Sequence, residues 1–313
     1  MLNYSLPGET LSLINMEWWQ GIILGFLQGI MEVLPISSTA HLVLFHNIMD
    51  MEESTLSLDV MLNFGSWIAV MWFFRDVWLD MVVGVLNFIK IQGSLLTQKS
   101  SQSWVRKISW FQDMTVEYQK NDFYYQNLHQ VYLFLYLIIG TIPAGLVGIL
   151  FRDYIDQVLR TPFFVSLALI LGGGLLWLSD MWGRKSQSLT DMSWWQAIIV
   201  GVGQIFALIP GFSRSGSTIT AGLFSGFTRS EAATFSFLLG APLVLGAAIV
   251  ELPDFIATYK FSFPSMSAFI ISIIATYVTL KVFYHIIERQ SYLIFVIYRI
   301  GLGFILLVLT VNM

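Results

Sequence analysis

The sequence predicts an all-α, polytopic integral membrane protein, an inverted-topology repeat with six transmembrane helices and two re-entrant helix pairs. Three observations predict it. Of 313 residues, 56% are hydrophobic and only 12% charged, with 25 Phe and 11 Trp, which lies outside the range of soluble domains. Six stretches (56–74, 131–150, 162–179, 231–252, 264–287 and 291–311) are each long enough to cross a hydrocarbon layer of about 30 Å. The chain also repeats itself at an offset of 176 residues: WWQGIILGFLQ from Trp18 pairs with WWQAIIVGVGQ from Trp194, and seven of the eleven positions are identical.

In hydrocarbon every backbone polar group must be satisfied within the chain, and no alternating ten-residue pattern supports a barrel, so the spans are helices. Each repeated segment runs on to a proline (Pro35, Pro210) and to a serine nine residues past its second Gln (Ser37, Ser213). Pro, Gly and Ser thus interrupt 18–45 and 194–227, which read as helices that enter the membrane and turn back. Three spans follow each, dividing the chain into 1–190 and 191–313. An odd number of crossings makes the second break enter from the opposite face, so the two tips meet near the midplane.

Charge placement orients this arrangement. No Lys or Arg precedes Arg75, which puts the N-terminus outside. Three crossings per half then leave Arg75, Lys90, Lys99, Arg106, Lys107, Lys120, Arg184, Lys185, Arg229, Lys281 and Arg289 at the cytoplasmic side, against Arg152, Arg160 and Lys260 outside. Between Val77 and Lys90 a helix lying in the interface is expected, with Val77, Met81, Val85 and Phe88 opposite Asp80 and Asn87. Residues 92–130 form a polar insertion that reads as a cytoplasmic loop. The first residues lack the basic stretch of a cleaved leader, so the chain is expected to be retained whole. With no cysteine, disulfides, thiolate metal sites and a Cys nucleophile are excluded.

The chemistry sits at the two breaks, QGIMEVLPISSTAH (28–41) and LIPGFSRSGST (208–218). Polar groups at membrane depth persist where they face one another or a water-filled cavity, which makes these breaks the default site. Ser37, Ser38 and Thr39 are helix-start residues, with His41 one turn on. Glu32 lies across the break and Gln28 one turn before it. Ser213, Arg214, Ser215 and Gly216 open the second outgoing helix, whose amides favour an anion. Together these groups can grip a diphosphate: Arg214 on a phosphoryl oxygen, Ser213, Ser215 and Thr218 on others, and Glu32 alone or with Gln28 on a divalent cation. His41 remains for covalent or proton chemistry. Single hydroxyls at helix starts are most often caps, and it is the set at two related breaks that carries the reading. Asp59 and Asn63 share a face of the first span and either line the groove or form a structural pair. Arg299, inside the last span, either pairs with a carboxylate or reaches for the interface.

At these residues the chain resembles the bacterial undecaprenyl pyrophosphate phosphatase family, the bacitracin-resistance proteins. Gln28, Gly29, Glu32, Leu34, Pro35, Ser37, Ser38, Thr39 and His41 match its first signature, and Pro210, Gly211, Ser213, Arg214, Ser215, Gly216 and Thr218 its second. FSFLLGAPLVLGAA from Phe235 and YRI from Tyr298 extend the resemblance along nearly the whole chain, the insertion excepted. Departures are Met31, Val33, Ala40 and Gln28, the last standing where some members have Glu. The resemblance implies an inner-membrane enzyme that removes the terminal phosphate of undecaprenyl diphosphate, with its site open to the outer leaflet. In its terms Arg214 holds phosphate, Ser37, Thr39, Ser213, Ser215, Gly216 and Thr218 surround it, and Glu32 with Gln28 supports a divalent cation (Mg²⁺ or Ca²⁺) or the reacting group. His41 or Ser38 attacks or relays the proton. His41 is preferred, because a hydroxyl needs a base and neither motif has a second His. The partners implied are a polyprenyl diphosphate and membrane lipids, not nucleic acid; a homodimer is left open. The rival readings are a polyprenyl-phosphate flippase, an acid-phosphatase-type lipid phosphatase, disfavoured because no His follows Arg214 in SGSTITAGL, and a purely structural membrane protein.

Overall fold

The computed structural model describes residues 16–48, 56–99, 122–151, 154–159, 161–259 and 262–311. Among them are eleven α-helices: α1 (Trp18–Val33), α2 (Ser38–Ile48), α3 (Leu56–Phe73), α4 (Arg75–Lys99), α5 (Asp122–Leu150), α6 (Pro162–Trp182), α7 (Trp194–Phe206), α8 (Arg214–Phe224), α9 (Arg229–Tyr259), α10 (Phe263–Arg289) and α11 (Leu293–Val311). No β-strand occurs among the described residues, so the chain is all-α as expected. Five helices, α5, α6, α9, α10 and α11, are long and apolar enough to cross a membrane. The sixth expected span, α3, is apolar but shorter, because Arg75 and Asp76 follow directly on Phe74. Ile149, Leu150, Ile249 and Ile305 point outward, as on a surface that meets lipid rather than water.

The duplicated WWQ has a local cause. Gln20 and Gln196 stand at the third helical position, where their amide oxygens accept from the N-cap N–H of Glu17 (2.8 Å) and of Ser193 (2.9 Å). The two arms end differently. Leu34, the residue before Pro35, is forced into extended backbone (φ −70°, ψ 139°) and stops α1. Past α7 the chain unwinds through three successive i→i−3 bonds, from Ala207, Leu208 and Ile209, before Pro210. Both breaks then finish on a serine in the left-handed region, Ser37 at φ 72° and Ser213 at φ 66°. A side chain in that region costs about 1–2 kcal/mol, so neighbouring structure must hold it there.

Packing between the halves is reciprocal. The first arm α1 lies along α10, and the second arm α7 lies along α5. Likewise α8 packs on α6, while Ala40 of α2 clusters with Leu302 and Leu306 of α11. The pairs α3–α9 and α6–α11 join equivalent helices of each half. Small residues bring the arms close: a Cβ on Gly25 would lie 2.4 Å from the Ala268 carbonyl oxygen, and one on Gly29 2.5 Å from Cβ of Ala275. On the α7 side, a Cβ on Gly201 would meet the Gly140 carbonyl oxygen at 2.5 Å. Such seams let backbones approach where no hydrophobic drive between helices exists.

The expected interface helix is longer than 77–90. It runs as α4 from Arg75 to Lys99, buries Met81, packs along α5, and leaves Leu79, Val82, Val83, Leu86 and Ile89 as an exposed apolar stripe. The insertion is therefore helical at both ends, since α5 begins at Asp122; residues 100–121 lie outside the described residues. Asp180 ties α6, α9 and α11 together, accepting from Arg229 Nε (2.7 Å) and Nη2 (3.1 Å) and from the Tyr292 N–H (3.0 Å), with Lys185 Nζ at 3.3 Å.

Candidate active site

Glu32, in the last turn of α1, and Arg214, the first residue of α8, form a salt bridge of 2.6 Å between Oε1 and Nη2. One ion pair therefore joins the two breaks. Its side chains are only 10% and 18% exposed, so each charge depends on the other. The second carboxylate oxygen, Oε2, accepts from Ser38 Oγ at 2.8 Å and from Gln28 Nε2 at 3.2 Å. Gln28 Nε2 also donates to Oδ1 of Asn63 on α3 at 2.7 Å, while Gln28 Oε1 is buried with no hydrogen-bond partner among the described residues. Arg214 lies against α9 at a point where a Cβ on Gly240 would stand 2.0 Å from Nη1; that nitrogen donates to the Ser236 carbonyl at 3.4 Å.

His41 is buried and turned elsewhere. Its Nδ1 lies 2.7 Å from the Ser37 carbonyl oxygen, which can only accept, so in the neutral ring Nδ1 carries the hydrogen. Nε2 then accepts from the Tyr298 hydroxyl of α11 at 2.7 Å. Both ring nitrogens are occupied, one by the backbone that holds Ser37 in its left-handed conformation. Thr39, in the first turn of α2, is half-buried.

The hydroxyls of the second break mostly serve the break itself. Ser213 Oγ accepts from the Gly216 N–H at 3.2 Å and meets Ser215 Oγ at 3.3 Å, and Ser215 Oγ reaches the Leu34 carbonyl at 3.5 Å. Thr218 donates to the Arg214 carbonyl at 2.9 Å and contacts Ser236 Oγ at 2.5 Å, so it faces α9 rather than the ion pair. The structure thus brings Gln28, Glu32, Ser38 and Arg214 into contact, links Ser213, Ser215 and Gly216 to one another at the start of α8, and gives His41 and Thr218 other partners. Sequence reasoning gave no role to Tyr298 or Ser236, which are ordinary residues in apolar helices. Asn63 is resolved toward Gln28, and Arg299 takes neither of its expected partners: it is wholly buried and donates to backbone carbonyls.

Comparison with known proteins agrees along most of the chain. Residues 21–305 match the family described as Bacitracin resistance protein BacA. The undecaprenyl-diphosphatase of Gemmatimonas aurantiaca is 33% identical over 290 residues, covering 93% of this chain and 97% of that protein. That of Alcanivorax borkumensis is 35% identical over 294 residues, covering 93% and 98%, and undecaprenyl-diphosphatase 2 of Stutzerimonas stutzeri is 35% identical over 299 residues, covering 94% and 98%. With matches of this extent, the chain belongs to the bacitracin resistance protein BacA family.

Proposed function

We propose that this chain hydrolyses undecaprenyl diphosphate to undecaprenyl phosphate and inorganic phosphate, the activity its relatives are named for. The observation that carries the reading is the Ser38–Glu32–Arg214 chain of contacts across the two breaks: a hydroxyl, a carboxylate that accepts its hydrogen bond, and a guanidinium. The incoming terminal phosphoryl group takes the Arg214 fork away from Glu32. The amides opening α8 face the same anion. Ser38 Oγ attacks phosphorus and its proton passes to Glu32 Oε2, while the bond to the bridging oxygen breaks and undecaprenyl phosphate leaves. Water then attacks the phosphoserine; Ser38 Oγ departs and recovers the proton from Glu32, and inorganic phosphate is released. His41, with both nitrogens engaged, supports Ser37 rather than attacking. Glu32 supplies the base that a serine nucleophile requires.

A divalent cation fits the residues present. Among the described residues no three His, Cys, Asp or Glu side chains converge as a metal site. Mg²⁺, however, commonly uses one or two carboxylates plus substrate phosphate oxygens, and Glu32 with the unpartnered Gln28 Oε1 meets that demand. When bound, Mg²⁺ or Ca²⁺ supplies charge neutralisation for the diphosphate. Phosphate release from undecaprenyl diphosphate by the detergent-purified protein is the test. It is expected with wild type, abolished by EDTA and restored by Mg²⁺ or Ca²⁺. Lipid binding without release would overturn the enzymatic reading; chelator-resistant release removes only the cation.

The membrane is the bacterial inner membrane, with the N-terminus and the site on its outer side. Support comes from the absence of Lys and Arg before Arg75. The α3 helix completes six spans, and α1–α2 and α7–α8 form the re-entrant pairs of two inverted halves; the exchange of roles in helix packing supports this. In this cysteine-free chain, Ser5→Cys and Lys260→Cys are each expected to react with an impermeant maleimide on intact cells. Labelling only after permeabilisation reverses the topology.

A further inference from the structure

Arg299 sits inside the last span, and among the described residues no carboxylate lies within salt-bridge reach of it. Its guanidinium donates from Nη1 to the Pro35 carbonyl at 3.1 Å, and from Nη2 to the carbonyls of Gly211 (3.2 Å) and Phe212 (2.7 Å). Pro35 and Gly211 stand 176 residues apart, the offset of the repeat, so one side chain holds equivalent carbonyls of both breaks. Two residues beyond each lies a serine in left-handed backbone. Broken helices leave such carbonyls without an intrahelical donor, and a planar fork of N–H groups is suited to collecting several. Space is made for it: a Cβ on Gly172 would lie 2.3 Å from Nη2, and one on Gly216 2.6 Å from Nη1.

The two parts of the site are carried by chain segments joined directly by the Glu32–Arg214 ion pair, which opens when phosphate takes Arg214, and by the long 3.5 Å contact of Ser215 Oγ with the Leu34 carbonyl. A firmer tie must then keep the breaks in register. We propose that Arg299 is a positioning residue that sets the distance between the breaks, holding Ser38 and Glu32 of the first against Arg214 of the second. This rests on the phosphatase reading above.

The test compares wild type with Arg299→Met, Arg299→Lys and Gly172→Ala, measuring kcat and KM for phosphate release alongside thermal stability. It adds the distance between spin labels on Ile30→Cys and Val202→Cys, exposed positions on the two arms (40% and 45%). Misplacement of about 1 Å can cost about 100-fold in rate, so Arg299→Met is expected to lower kcat by about that factor with KM within about threefold of wild type. Arg299→Lys keeps the charge but not the fork and should fall in the same direction. Gly172→Ala pushes the guanidinium aside from a helix remote from the reaction and should lower kcat by about tenfold. All three should broaden the label distance. Unchanged kcat per folded molecule with lowered stability overturns the proposal in favour of a structural strut. So does raised KM with kcat retained, which would mean direct contact with phosphate, and so does lowered kcat at unchanged label distance. If Arg299→Met does not fold, the other two variants decide. Should wild type release no phosphate, the phosphatase reading fails while the label distances still judge the tie.

Discussion

Arg214→Met is expected to lower kcat/KM for phosphate release from undecaprenyl diphosphate by about 10³-fold or more. A guanidinium that stabilises charge on a transferring phosphoryl group contributes about 10³- to 10⁵-fold in comparable chemistry, and 10³ corresponds to about 4 kcal/mol of barrier. Stability should fall as well. With its partner gone, Glu32 is left mostly buried and unpaired, and breaking a buried ion pair in this way costs about 3–5 kcal/mol. Arg214→Met combined with Glu32→Gln separates the two effects, because removing both charges should recover much of the thermal stability and none of the turnover. Near-normal turnover in folded Arg214→Met would exclude the site as drawn.

Ser38→Ala is expected to be the more damaging of two first-break substitutions, lowering kcat by about 10⁴-fold or more, as loss of a nucleophile does. His41→Ala should cost about 10- to 100-fold, because it frees the Ser37 carbonyl and lets the break shift without removing a reacting atom. The opposite ranking would return the nucleophile to His41. Trapping the phosphoenzyme gives an independent answer: phosphoserine survives acid, and phosphohistidine does not.

The residues that meet across the two breaks were legible because Glu32, Ser38 and Arg214 are polar residues in an apolar chain, interrupted by proline at two related places. The contact of Ser38 with Glu32 was not, since Glu32 was read as supporting a cation or the reacting group and a base was sought as a second histidine. Glu32 precedes Ser38 by six residues, and only the extended turn through Leu34 and Pro35 brings them to 2.8 Å. Thr218 was grouped with the phosphate-gripping hydroxyls of the second break; its contacts, with the Arg214 carbonyl one helical turn back and with Ser236 of α9, are not readable from the pattern. Arg299 was hidden for a different reason. Its partners are backbone carbonyls, which every residue has, so no pattern of side chains could announce them. In the fold, the all-α class and the spans from α5 onward follow from hydropathy. The full length of α4 does not, because Leu79, Val82, Val83, Leu86 and Ile89 are exposed apolar residues that blur its amphipathic pattern.

The contact of Gly21, Gly25 and Gly29 with α10 bears on how a long hydrocarbon tail gains admission. Side chains can yield by changing rotamer, but here main chain rests on main chain, and a small roll or slide of α1 would drive it into the Pro264, Ala268 or Ser272 carbonyl. The acid-bearing arm therefore moves only as one body with α10, and admission of the tail requires displacement along other seams.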